Sequence, residues 1–237
     1  MATSTAATSS LRALAERAGE ELESATPQAV LEWALETFDD KFCITASMAD
    51  ALLIDMASGI RPGVNVIFLD TGYHFPETLA TRDRVADRYP IKLHTILPRQ
   101  TVEEQDALFG PRLHDRDPDA CCNLRKVEPL RRGLQGYDAW ASGIRRDETL
   151  TRQQIGVVEW DANRAMVKVN PLATWTQEQV DAYIMEHDVE VNSLTYDGYP
   201  SIGCAPCTRR VVQGADPRSG RWAGRGKTEC GLHLSSD

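Results

Sequence analysis

The chain has 237 residues, 42% of them hydrophobic, enough to bury one sizeable α/β core. A net charge of −9 and a pI near 5.1 argue against general binding to nucleic acid or to an anionic membrane, and no apolar run is long enough to span a bilayer. The Ser/Thr/Ala-rich start from Met1 to Ser10 lacks the charged and apolar regions of a secretory signal, so a disordered tail and a cytoplasmic chain are expected. In a reducing compartment, the six cysteines point to metal binding or catalysis rather than to disulfides.

In chain order, Leu11, Leu14, Ala18 and Leu22 recur at helical spacing. A second helix has Thr26 as N-cap, Pro27 in its first turn and Val30, Leu31, Ala34 and Leu35 on its apolar face. Phe42–Ala46 reads as a short buried strand, Asp50–Ser58 as a helix and Val64–Asp70 as the clearest strand. Pro76 opens a helix to about Tyr89, Ile91–Leu97 is a strand, and a helix starts near Thr101. A helix over Cys121–Gln135, bent near Pro129, precedes a strand over Tyr137–Ile144. Ile155–Trp160 and Ala165–Val169 flank the turn Asp161-Ala-Asn-Arg164 as a hairpin, and Thr176-Gln-Glu-Gln179 is a capping box that starts a helix to about His187. Strands alternating with helices predict a mostly parallel sheet with helices on both faces. One α/β domain over 25–210 is expected, preceded by a tail and helix (1–24) and followed by a flexible segment (211–237) rich in Gly, Pro, Arg and Cys.

In such a sheet ligands bind beyond the carboxyl ends of the strands. Three ends carry suggestive residues. Thr45-Ala-Ser-Met-Ala-Asp50 is a strand-to-helix turn whose N–H groups could receive a phosphate, although it lacks the glycines and lysine of a P-loop and reads equally as a plain capped helix start. Leu69-Asp-Thr-Gly-Tyr-His-Phe-Pro-Glu-Thr78 places polar groups directly after an apolar strand. In Ser142-Gly-Ile-Arg-Arg-Asp147, Gly143 allows close approach to a flat base and the arginines can face an anion.

The cysteines are more specific. Cys121 and Cys122 are adjacent, Cys204 and Cys207 form a Cys-x-x-Cys, and Cys230 stands in Glu-Cys-Gly-Leu-His near the C-terminus. Four thiols in two pairs can hold a structural zinc or an iron–sulfur cluster, or the Cys-x-x-Cys can be a redox couple; tandem cysteines fit a zinc knuckle poorly. Cys43, inside an apolar strand, reads as a buried small hydrophobe. Arg209, Arg210, Arg218, Arg221, Arg225 and Lys227 make the tail basic in an acidic protein, which lowers a thiol's pKa and attracts an anion. Cys230 is therefore a candidate nucleophile, and Lys126 adds a cation one helical turn after Cys122.

Taken together, Leu69–Thr78, Cys121-Cys-Asn-Leu-Arg-Lys-Val127, Gly203-Cys-Ala-Pro-Cys207, Gly220-Arg-Trp222 and Lys227-Thr-Glu-Cys-Gly-Leu-His233 resemble the assimilatory adenosine 5′-phosphosulfate (APS) reductases. These form the iron–sulfur branch of the phosphoadenylyl-sulfate reductase family, and the resemblance runs from about Phe42 to Leu234. It implies an adenine nucleotide α-hydrolase-like fold and a [4Fe–4S] cluster on Cys121, Cys122, Cys204 and Cys207. Cys230 would be the nucleophile; Leu69 and Gly143 would meet the adenine through backbone groups. Lys126, Arg218, Arg221 and His233 would surround the sulfate, with Arg152 at the phosphate. The family's phosphate turn is usually richer in Gly or Ser than Ala46-Ser-Met-Ala49, which leaves Ser47 as the polar side chain of that loop. The implied reaction is reduction of APS to sulfite and AMP through an S-sulfocysteine, with thioredoxin or a similar dithiol as partner and a homo-oligomer as the assembly. The phosphorylated substrate PAPS is the nearest rival, but reductases of PAPS typically lack the cysteine quartet.

Overall fold

The computed structural model describes residues 2–225 together with 227, 229, 231 and 232, and the side chains from residue 8 onward. Its helices and strands run α1 (Ala2–Glu21), α2 (Pro27–Phe38), β1 (Phe42–Ala46), α3 (Leu52–Ile60), β2 (Val64–Leu69), α4 (Pro76–Arg88), β3 (Ile91–Ile96), α5 (Val102–Phe109), α6 (Leu113–Arg116), α7 (Pro118–Cys122), α8 (Glu128–Gly133), β4 (Ala139–Ala141), β5 (Val158–Asp161), β6 (Met166–Val169) and α9 (Gln177–His187). The strands form one six-stranded sheet in the order β3-β2-β1-β4-β6-β5. Every neighbouring pair is parallel except the β5–β6 hairpin. From β1 the chain builds outward through β2 to β3, then returns to place β4 on the other side of β1. The order therefore reverses between β1 and β4, and the crevice that opens there lies beyond Ala46 and Ala141.

Alternation along the strands assigns residues to the two faces. Phe42 and Ile44 of β1 join Val64, Val66 and Phe68 of β2 in the larger core, beneath α1, α2 and α3. Cys43 and Ile67 point the other way, into a smaller cluster with Leu130, Leu134, Trp140 and Met166. Cys43 is fully buried and burial pushes its thiol pKa up, in keeping with a packing role. Parallel strands covered on both faces are the architecture expected from the alternating elements.

Several boundaries differ from expectation for identifiable reasons. Helix α1 covers the Ser/Thr/Ala-rich start for which a disordered tail is expected, a stretch without Gly or Pro before Gly19. The single helix expected over Cys121–Gln135 is divided: α7 ends at Cys122, a π-helical turn spans Asn123–Val127, and α8 follows with Pro129 in its first turn. Proline has no N–H to offer the preceding turn, and the wider π turn absorbs that loss. The capping box at Thr176 forms as expected: its side chain accepts from the Gln179 N–H, whose own side chain accepts from Thr176.

Gly19 lets α1 lie directly on β5. A Cβ there would stand 2.6 Å from the Val158 carbonyl oxygen, which is backbone and cannot swing aside. Gly19→Ala, normally favourable in a helix, is expected here to lower stability by about 1–3 kcal/mol through overpacking, measured by urea or thermal unfolding.

Candidate active site

A cleft of about 430 Å³ opens at the β1/β4 switch point. Its floor is made by strand ends: Thr45, Ala46 and Ser47 after β1, Leu69 and Thr71 after β2, and Ser142 and Gly143 after β4. Its cations are Lys126, Arg145, Arg152, Arg218 and Arg221. All the substrate-site residues expected from the sequence that fall among the described ones, namely Ser47, Leu69, Gly143, Arg152, Arg218 and Arg221, line this cleft, as does Lys126. Cys230 and His233 lie outside the described residues. The chain on either side of position 230 does reach the cleft, through Glu229 and Leu232.

The turn after β1 is held from outside. Met48 adopts a left-handed φ of 60° and buries its side chain completely, leaving Ser47 exposed to the cleft. Asn192 fixes this shape: its Nδ2 donates to the Met48 carbonyl (3.1 Å) and to Thr78 Oγ1 (3.1 Å), and its N–H donates to the Ala49 carbonyl (3.0 Å). At the start of α3, the Ala51 N–H donates to Glu190 and the Leu52 N–H to the Asp50 carboxylate. These two donors are thus engaged within the protein, which narrows what the turn can offer a phosphate. Asn192 escaped notice in the sequence because nothing marks a lone Asn in an irregular segment as the clamp of a distant turn.

The loop after β2 faces two ways. His74 stacks on Phe68 and donates from Nε2 to the Leu69 carbonyl (2.8 Å), so one lone pair of the backbone oxygen expected to meet a base is already engaged. Burial pulls the His74 pKa down, against the pull of that hydrogen bond, which keeps the ring neutral. On its other side the loop grips the Cys-x-x-Cys turn. Thr71 Oγ1 hydrogen-bonds Cys204 Sγ (3.3 Å), and the Ala205 N–H donates to the Tyr73 carbonyl (2.7 Å).

After β4 the two arginines expected to face an anion part ways: Arg145 borders the cleft, and Arg146 is not among the residues that line it. Arg145 bonds Asp147 and Gln177, and Arg146 makes a two-pronged pair with Glu23 (2.6 and 3.0 Å), so both are tied to protein partners. Arg152 is the buried guanidinium. It reaches Glu148 and forms a fork with Glu229 at 2.9 and 2.8 Å, while Arg218 meets the same Glu229 carboxylate at 3.4 Å.

Beside the cleft, the four cysteines line one small pocket with Tyr73, His114, Arg125, Lys126, Arg221 and Trp222. Helix α7, capped by Asp117, supplies Cys121 and Cys122; a 3₁₀ turn capped by Cys204 supplies Cys207. Arg125 pins the π turn from below, donating to Gln105 and to the Gln100 and Thr101 carbonyls. Burial first, and then the neighbouring Cys122, Cys204 and Cys207, push the Cys121 thiol up to about 12. All four cysteines border that same pocket. No group of three or more His, Cys, Asp or Glu among the described residues is arranged around a single metal ion. The donor set is four thiols with cations around them, including Arg225, whose Nη1 lies 3.8 Å from Cys207 Sγ. Four thiols of this kind are ligands for a cysteine-held cluster or for a single metal ion.

Lys126, Arg221 and Trp222 border both the cleft and the cysteine pocket. Arg221 lies over the Trp222 ring at 4.6 Å and against Gly203, where a Cβ would stand 2.3 Å from the guanidinium. At Gly220 a Cβ would stand 2.2 Å from the Arg209 carbonyl, beside the Thr208–Arg221 bridge. Leu232, next to the tail's end, packs into the smaller core and its carbonyl accepts from Arg164 (3.2 Å) in the β5–β6 turn. The sequence marks Arg164 only as part of a turn.

The fold and site define an α/β protein with a cation-lined cleft at a topological switch point and a four-thiol pocket beside it. Residues 41–210 match the family model of the phosphoadenosine phosphosulfate reductase domain. The chain is 61% identical to the adenosine 5′-phosphosulfate reductase of Streptomyces coelicolor over 95% of its length and 96% of that protein. It is 49% identical to the adenosine 5′-phosphosulfate reductase of Mycobacterium tuberculosis, covering 95% of each. Among solved structures, the phosphate complex of phosphoadenylyl-sulfate reductase from Candida auris superimposes with a TM-score of 0.73 at 33% identity, over 82% of this chain and 96% of that one. The Candida glabrata FMN adenylyltransferase, at 14% identity and a TM-score of 0.55 over 86% of this chain and 68% of its own, shares the fold. The chain belongs to the phosphoadenosine phosphosulfate reductase family, on the side where the adenosine 5′-phosphosulfate reductases lie.

The two glycines are expected to separate function from stability. Gly203→Ala displaces the movable end of Arg221 and is expected to raise KM several-fold with little change in melting temperature. Gly220→Ala meets backbone and is expected to cost about 1–3 kcal/mol of stability; parallel kinetic and thermal measurements check the pair.

Proposed function

We propose that this protein reduces adenosine 5′-phosphosulfate to sulfite and AMP in assimilatory sulfate reduction leading to cysteine, acting in the cytoplasm. The observation that carries the reading is the shared wall of cleft and cysteine pocket: Lys126, Arg221 and Trp222 border both, and Glu229 and Leu232, on either side of Cys230 in the sequence, line the cleft. The adenosine lies over the strand ends at Leu69 and Gly143, with Ser47 beside them on the floor. Arg152 takes the phosphate, while Lys126, Arg218, Arg221 and His233 take the sulfate.

In the first half-reaction the Cys230 thiolate attacks the sulfate sulfur. The bond from sulfur to the bridging oxygen breaks, its electron pair leaves on AMP, and the enzyme carries an S-sulfocysteine. A thiolate approaching a sulfate is opposed by charge, and the surrounding cations offset that repulsion. In the second, a thiolate of thioredoxin or a similar dithiol attacks Cys230 Sγ and sulfite leaves. The partner's second thiol then resolves the mixed disulfide, freeing Cys230; the two electrons come from the dithiol. The segment over 211–237 moves between these steps, because Cys230 faces first a closed cleft and then a protein.

Cys121, Cys122, Cys204 and Cys207 would hold a [4Fe–4S] cluster, which supplies a fixed local charge beside the sulfate site. Lys126 and Arg221 stand between that pocket and the cleft and orient the sulfate end of the substrate.

Two measurements test this reading. Enzyme mixed with ³⁵S-labelled APS and no reductant should trap label covalently, thioredoxin should release it as sulfite, and Cys230→Ser should trap none; the same assay with PAPS should give little label. Activity that survives Cys230→Ser overturns the nucleophile assignment. Purified protein should be brown and contain iron and acid-labile sulfide, whereas colourless protein with one zinc overturns the cluster assignment.

A further inference from the structure

Glu229 stands directly before Cys230, and its carboxylate bridges Arg152 and Arg218 at the heart of the cleft. All three side chains are nearly buried, with 9%, 14% and 10% of Arg152, Arg218 and Glu229 exposed, so this is not a solvated surface pair. A carboxylate forked onto one guanidinium and shared with a second offers the oxygens that a bridging phosphosulfate would offer. The two occupants compete for the same groups. With Glu148 also on Arg152, two carboxylates already pair with these two arginines, so a phosphosulfate drawn to the same guanidinium groups meets carboxylate oxygens where its own would bind, even with Lys126 and Arg221 elsewhere in the cleft.

We propose that Glu229 is an internal stand-in for the substrate's anion: it holds Arg152 and Arg218 in the empty cleft and must be displaced for the nucleotide to bind. The inference rests on the reading that these arginines hold the substrate's phosphate and sulfate. Other handholds of this segment, Lys227 on Asp119 and the Leu232 carbonyl on Arg164, use groups that do not compete with the ligand. Glu229 is the handhold placed on the substrate's own contacts. Arrival of the nucleotide therefore releases the residue preceding the nucleophile while leaving its neighbours anchored. Departure of AMP lets Glu229 return to the arginines and disfavours rebinding of product.

Calorimetric titration of the cluster-loaded, full-length protein with AMP tests this, because AMP carries the anion but undergoes no reaction. Glu229→Gln, which keeps the shape and removes the charge, is expected to tighten AMP binding by roughly three- to tenfold, since the ligand no longer competes with a paired carboxylate. Arg152→Ala is expected to weaken AMP in the parent protein, and the double variant to lose the gain. A purely structural role for Glu229, orienting Arg152, requires the opposite sign. AMP binding that is unchanged or weakened in Glu229→Gln, while still dependent on Arg152, overturns the inference alone. AMP binding indifferent to Arg152→Ala overturns the reading beneath it as well. Glu229→Ala, with cluster absorbance and melting temperature at parent values, serves as a second variant and must show the same tightening.

Discussion

A protein with a net charge of −9 that binds an anion must gather its cations in one place and keep them there when the ligand is absent. Buried guanidinium groups without partners are strongly disfavoured, so each one in the cleft is matched to an internal acceptor. Arg152 sits between Glu148 and Glu229, Arg218 shares Glu229, and Arg221 rests on the Trp222 face and near the Ile202 carbonyl. This balance shapes the site. It explains why acidic residues enter an anion site at all, and why the segment before Cys230 carries a carboxylate into a cleft that has to receive a phosphosulfate.

The sheet determines where that balance is struck. Reversal of strand order at β1 and β4 opens a crevice, and the loop after the adjacent β2 extends it toward the cysteines. Thr71 and Tyr73 in that loop bond the Cys-x-x-Cys turn, while Leu69 and His74 form the floor of the cleft. One short loop thus joins the cleft to the four-thiol pocket. The π turn after Cys122 does the same from the opposite wall, with Arg125 anchored inward while Lys126 faces both pockets. π turns inside helices recur at functional sites because the extra residue re-aims side chains.

Much of this was legible in the sequence, and the divide has a physical basis. Features written in local chemistry were readable: alternating elements, the Thr176 capping box, the tandem and Cys-x-x-Cys thiols, and the polar loop after an apolar strand. Interactions between distant segments were not. Arg152 and Glu229 are 77 residues apart and Asn192 clamps a turn 144 residues away, and no spacing rule connects such pairs. Nor does any spacing rule show that Arg145 borders the cleft while Arg146 pairs with Glu23, 123 residues away. Charge in a sequence gives the inventory; only the fold shows which charges are already matched. The residues at 230 and 233 remain assigned by motif alone, from the sequence context of the tail.

The function proposed for Cys230 also gives a reason for carrying a nucleophile on the tail segment rather than on the sheet. Reaction with a nucleotide requires a closed, water-poor cleft, whereas reaction with a protein dithiol requires an exposed sulfur, and a rigid strand end satisfies one of these at the expense of the other. A segment held by a few discrete contacts satisfies both in turn. Lys227 on Asp119 and the Leu232 carbonyl on Arg164 tie the described residues of this segment to α7 and to the β5–β6 turn. Placing one further contact, Glu229, on the arginines makes the strength of that closure depend on what occupies the cleft. On the proposal made for Glu229, opening and closing follow from competition between two anions for the same cations.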